Sequence, residues 1–135
     1  MNIPSLFPEF FAYELVAPFF LRVILGLIFL GNGYSKLFKS RQGTTEFFSS
    51  IGLRPATAWV YAIGAAELAS GLMFILGIFV QLAAVIVSLI MVGAIFKVKI
   101  KEKFIGGYDF ELLILFVSIS LLFLGPGIFS FDMPL

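Results

Sequence analysis

Four long apolar runs, at about residues 15–38, 56–77, 79–97 and 108–124, dominate the chain, and its polar residues gather in the links between them. A helix needs roughly 20 apolar residues to cross about 30 Å of hydrocarbon, so each run predicts a membrane-spanning helix. The runs are continuous rather than alternating, which argues against the short alternating strands of a membrane barrel. The expected architecture is an all-α membrane protein: one four-transmembrane-helix bundle domain over residues 1–135. Gly77-Ile78-Phe79 leaves almost no chain between the second and third runs and forces those helices antiparallel. The fourth run is the shortest, and the approach at Ile105 offers it an extension.

The links carry their own pattern. Residues 3–14 mix Phe7, Phe10, Phe11 and Tyr13 with Glu9 and Glu14, which predicts a segment lying along the membrane surface. In the first link, about residues 42–53, Gln42, Thr44, Thr45 and Glu46 are interspersed with Phe47, Phe48, Ile51 and Leu53. A short amphipathic interfacial helix is expected there, closed by Gly52 and Pro55. Gly125-Pro126-Gly127 stops the fourth helix. Trp59 and Tyr61, near the start of the second run, suit interfacial anchors.

Charge then orients the bundle. Every Lys and Arg except Arg22 lies on or beside the first or third link: Lys36, Lys39, Arg41 and Arg54, then Lys97, Lys99, Lys101 and Lys103. Four spans place both links on one side, which the positive-inside rule makes cytoplasmic, with both termini outside. No basic residue precedes Arg22, so the first run lacks the basic region of a cleaved signal peptide and is expected to be retained. The basic links serve as topology signals or attract anionic lipid, at about 1 kcal/mol per residue.

Composition narrows the chemistry. The chain is 61% hydrophobic and only 13% charged, against about 25% charged in soluble domains. Without Cys there are no disulfides, thiol relays or iron–sulfur clusters. Without His the commonest haem and zinc ligand is missing, and no metal site is expected. Redox chemistry in this chain needs a borrowed carrier or a partner subunit. Membrane lipid is an expected partner, and nucleic acid is not.

Two charges interrupt the apolar runs, Arg22 and Glu67. An ionisable group at membrane depth costs on the order of 2.5–3.5 kcal/mol unless it faces a partner or a polar cavity. Helix rise sets Arg22 about 10 Å and Glu67 about 15 Å from the outer ends of their runs, so a buried Arg22–Glu67 ion pair is expected. Gly26, Gly64, Gly71 and the ladder Ala62, Ala66, Ser70 give small surfaces for close helix approach. The pair is either a site or an interhelical clamp that sets register. A second polar group joins Asn32, Tyr34, Ser35 and Lys36 at the end of the first run to Tyr108, Asp109 and Glu111 at the start of the fourth. The acids suit a helix N-terminus. They form either a capped helix with a rim salt bridge to Lys36, or a polar mouth for a head group or partner, Glu111 being the deeper acid.

Several blocks also resemble the DoxX family. Arg22-Val23-Ile24-Leu25-Gly26 through Gly31-Asn32-Gly33-Tyr34-Ser35-Lys36-Leu37-Phe38 is similar to its first helix. Gly64-Ala65-Ala66-Glu67-Leu68-Ala69-Ser70-Gly71 with Leu76-Gly77 is similar to its second, and Ala83-Ala84 through Met91 and Ala94 to its third. Gly106-Gly107-Tyr108-Asp109-Phe110-Glu111-Leu112-Leu113 and Gly125-Pro126-Gly127-Ile128-Phe129-Ser130-Phe131-Asp132 resemble its fourth helix and tail. The blocks cover about residues 20–132 in family order. One departure is the third link, where the family often carries His and this chain is Lys-rich. The resemblance implies a four-helix protein of the prokaryotic inner membrane, related to the DoxD subunit of thiosulfate:quinone oxidoreductase.

Three functions follow as expectations. The first is an accessory or quinone-interacting subunit of a membrane oxidoreductase complex, with no covalently bound cofactor and a redox partner subunit supplying the electrons. Its candidate site residues are Arg22, Glu67, Asn32, Lys36, Asp109 and Glu111, with Arg22 and Glu67 as the candidates for catalysis. The second is a non-catalytic scaffold that holds a partner protein, with Arg22–Glu67 as its clamp. The third, weaker, is a small transporter or channel formed as a homo-oligomer, although no pair of discontinuous helices marks such a site.

Overall fold

The computed structural model describes residues 3–99 and 101–132. Among the described residues five α-helices form: α1 (Val16–Tyr34), α2 (Arg41–Ser50), α3 (Ala56–Leu76), α4 (Val80–Ala94) and α5 (Asp109–Leu124). A 3₁₀ helix, Pro8–Tyr13, precedes them, and π-helical turns prolong α1 through Lys39 and α4 through Lys99. With these extensions four apolar helices are long enough to cross a membrane: Val16–Lys39, Ala56–Leu76, Val80–Val98 and Phe104–Leu124. The fourth is not regular throughout. Ile105 (ψ 122°) and Gly106 (φ +78°) leave helical geometry, so the Ile105 approach adds a kinked turn before α5 rather than a straight extension.

Helix α1 packs along α3, α4 packs along α5, and α3 joins the two pairs through α4. The shared core holds Leu25 and Phe29 of α1, Phe74 of α3, Val87 and Met91 of α4, and Ile114 and Leu121 of α5. Outside it, Phe20, Leu27, Leu89, Phe116 and Phe123 are exposed, an apolar rim that water would not tolerate and lipid does.

The α1–α3 contact is backbone on backbone. A Cβ at Gly33 would lie 2.7 Å from the Leu68 nitrogen, and one at Gly71 would lie 2.8 Å from the Leu30 nitrogen. A Cβ at Gly26 would lie 2.9 Å from the Gly71 oxygen. Lipid tails give helices no hydrophobic drive to associate, so such close packing is what holds them together.

The α3–α4 turn depends on left-handed backbone at Gly77 (φ +72°) and Phe79 (φ +50°). Asp132 secures it from the tail, its two carboxylate oxygens accepting from the N–H groups of Phe79 (2.7 Å) and Val80 (2.8 Å). The start of α4 is thereby capped by a residue far along the chain.

Gly71→Ile is expected to force α1 from α3 and to destabilise the bundle by about 1–3 kcal/mol, the usual range for overpacking. A thermal melt in lipid nanodiscs would read this as a fall of several degrees. Gly43→Ala is the control, because a Cβ there meets nothing within 4 Å.

Candidate functional site

The expected Arg22–Glu67 pair does not form. Arg22 is fully buried at the end of the bundle that carries both described chain ends, and its guanidinium is surrounded by carbonyl oxygens. Nε donates to Pro126 (2.7 Å), Nη1 to Phe74 (2.7 Å) and Ile75 (3.4 Å), and Nη2 to Ile128 (2.8 Å) and Phe129 (3.0 Å). Phe74 and Ile75 lie in the last turn of α3, whose carbonyls lack partners within the helix and carry its negative dipole end. The other acceptors belong to the 125–132 tail, which folds over that end. It is tied further by the Ile128 N–H to the Leu15 oxygen (3.1 Å) and the Asp132 N–H to the Gly77 oxygen (2.8 Å). Arg22 is a fastener for the tail.

Register and direction keep Arg22 and Glu67 apart. Seating Gly26 on Gly71 and Gly33 on Gly64 sets Arg22 level with Ile75 and Glu67 level with Leu30. That separates the two charges by about eight residues, or roughly 12 Å of helix rise. Side chains also lean toward the N-terminus of their own helix. Because α1 and α3 are antiparallel, Arg22 leans away from the level of Glu67, and Glu67 leans away from Arg22.

The same geometry brings Lys36 to Glu67. Lys36, in the π-helical turn after α1, leans back into the bundle while Glu67 leans down to meet it. Lys36 Nζ donates to Glu67 Oε2 at 3.1 Å, with the Lys36 side chain 24% exposed and that of Glu67 3%. Sequence reasoning offered Lys36 a rim bridge to the acids of the fourth helix; its partner here is the buried acid of α3.

Beside this pair lies a cavity of about 670 Å³. Asn32, one turn before Lys36, shares its wall with Glu67 and with Glu111 from the first turn of α5. Lys97 lies at its edge, and Phe48, Trp59, Ile63, Ile90 and Met91 make most of the remainder apolar. Four of the six expected site residues, Asn32, Lys36, Glu67 and Glu111, therefore face one space. Arg22 and Asp109 do not line it. The Asp109 carboxylate instead accepts from the Gly106 N–H (3.2 Å) and its neighbour Phe110 (2.9 Å), fixing the kink before α5.

Among the residues of this wall that the sequence did not mark for the site are Trp59, Lys97 and Phe48. Trp59 carried a signal, since it lies at spacing eight from Glu67 on one stripe of α3. Phe48 depends on α2 folding back over the bundle, which no local pattern shows.

Comparisons with known proteins identify relatives of the chain. The DoxX family model matches residues 17–100. A Bacillus subtilis (strain 168) protein named "Putative oxidoreductase CatD" is 40% identical over 112 residues, covering 83% of this chain and 81% of that protein. "Uncharacterized membrane protein Rv3486" of Mycobacterium tuberculosis (strain ATCC 25618 / H37Rv) is 31% identical over 125 residues, covering 83% and 77%. No solved structure matches the chain.

Two outcomes check the geometry. Lys36→Met leaves the Glu67 carboxylate buried beside an apolar side chain and should destabilise by about 3 kcal/mol, the low end for a broken buried pair. Lys36→Met combined with Glu67→Leu should recover most of that loss in the same thermal melt. Arg22→Met should also cost about 3 kcal/mol or more, since buried carbonyls left without donors cost about 1–3 kcal/mol each. Adding Glu67→Leu to Arg22→Met should bring no recovery, because the two residues do not meet.

Proposed function

The chain belongs to the DoxX family, and from that premise we propose that it is a quinone-interacting subunit of an oxidoreductase complex in a prokaryotic inner membrane. The basic links would face the cytoplasm and both termini the outer side, as the positive-inside rule requires. One observation carries the reading: the Lys36–Glu67 pair, its carboxylate buried and its ammonium partly so, forms part of the wall of an otherwise largely apolar cavity between helices long enough to span a membrane. Intramembrane charge facing a cavity marks function by default. The cavity's volume falls within the roughly 300–1,000 Å³ of small-molecule sites. The name of the Bacillus relative, an oxidoreductase, points the same way.

The residues present fit a quinone ring. Apolar walls from Trp59, Phe48 and Met91 suit its faces, and Lys36 Nζ keeps N–H groups beyond the one given to Glu67. Asn32 adds an amide donor one turn away. A bound quinone supplies two-electron, two-proton redox chemistry. The chain's own part is to orient a carbonyl oxygen with Lys36 and Asn32, to hold or pass a proton at the Glu67 carboxylate, and to exclude water with Phe48 and Trp59. The electrons come from a partner subunit, since this chain has neither Cys nor His.

Mass spectrometry of organic extracts from gently purified protein tests the reading. Near-stoichiometric quinone is expected in the wild type. An approximately tenfold loss is expected in a folded Glu67→Gln variant, the scale of one weakened charge-assisted hydrogen bond. Phospholipid alone in both samples would sink the proposal and favour the scaffold reading.

A further inference from the structure

Along α4 part of the lining of the cavity is exposed, and its border there is uneven. Leu89, Gly93 and Lys97 follow one another at spacing four along α4, so they form one stripe. All three line the cavity and are exposed, Leu89 by 67%. Across from them, Trp59, Ile63 and Glu67 form the matching stripe on α3, which runs from exposed Trp59 (43%) to buried Glu67 (2%). The tight turn at residues 77–79 sets Trp59 level with Lys97, Ile63 with Gly93, and Glu67 with Leu89. The residue midway along the α4 stripe therefore has no side chain. A Cβ built on Gly93 meets nothing within 4 Å, so this glycine is not there for close helix packing, unlike Gly26, Gly33 or Gly71.

We infer that Gly93 is the sill of a side entrance between α3 and α4, through which a bilayer-dissolved, long-tailed quinone reaches the Lys36–Glu67 pair with its tail left lying in the lipid. The inference rests on the quinone reading above and adds the route and the ligand class. Charge at the site supports an electroneutral head group, since the Lys36 ammonium is already neutralised by the Glu67 carboxylate. Depth supports entry from lipid, since Gly93 and Leu89 lie within the span Val80–Val98 rather than on a link. A side chain at position 93 would meet the tail, whereas the ring's polar contacts, Asn32, Lys36 and Glu67, lie on α1, the turn after it and α3.

The test uses two photoreactive azidobenzoquinones, one with a ten-carbon chain and one with a methyl group in its place, on protein in lipid nanodiscs. Adducts are counted by intact-mass spectrometry. Gly93→Ala should behave as wild type. Gly93→Phe, compared with wild type at matched folding in a thermal melt, should lose about tenfold or more of the long-chain adduct, on the scale of a few methylene contacts in an apolar pocket. Its short-chain adduct should stay within about twofold, a change too small to signal a lost contact of that kind. Unchanged long-chain labelling in Gly93→Phe would overturn the side entrance while leaving the quinone reading intact. Equal loss of both probes would also overturn it, placing position 93 at the ring instead. If neither probe labels the wild type in a saturable way, the quinone reading fails and takes this inference with it.

Discussion

Direct backbone contact between α1 and α3 governs where every buried charge ends up. Once Gly26 and Gly33 seat on Gly71 and Gly64, the axial offset between the two helices has no freedom left. That offset delivers Arg22 to the carbonyls at the end of α3 and brings Lys36 within reach of Glu67. A slip by one helical turn would leave three ionised groups in hydrocarbon without partners, at a cost on the order of 2.5–3.5 kcal/mol each. Close packing and charge satisfaction therefore select the same register, and each penalises departures that the other would tolerate.

The two ends of the bundle are consequently unlike. Where the tail folds over, Arg22 and Asp132 between them engage the α3 terminus, the α3–α4 turn and the tail itself. Those bonds join parts of the chain that are distant in sequence and make the end compact. Toward the basic links the helices are instead prolonged by π-helical turns, and α2 lies over a space that the core does not fill. A wider helical turn shifts side-chain directions relative to a regular α-helix. At Lys36 it accompanies a cation turned inward rather than one extended to the interface.

Hydropathy made the spans legible because lipid imposes a simple rule on residue type over about twenty positions. Arg22, Glu67, Asn32, Lys36 and Glu111 stood out for the same reason, as polar groups where apolar ones are cheaper. Who pairs with whom was less visible. Depth alone matched Arg22 to Glu67, but side-chain lean on antiparallel helices turns them apart, and the true partners of Arg22 are backbone oxygens, which have no signature in residue identity. Asp132 was noticed only as part of a family-like tail, since its role depends on a fold-back that no periodicity encodes. Gly93 was silent, because a glycine in an apolar run looks the same whether it admits a neighbouring helix or leaves a gap.

The fastening of Arg22 also has a meaning for how the protein is made. Its Pro126 acceptor lies 104 positions later in the chain. During synthesis the first helix therefore enters the bilayer with a guanidinium whose final partners have not yet been translated. Until residues 126–129 emerge, that charge must rely on water, lipid head groups or insertion machinery. Helix α1 can settle only when the 125–132 tail arrives, so a helix made well before its partners is among the last to be completed.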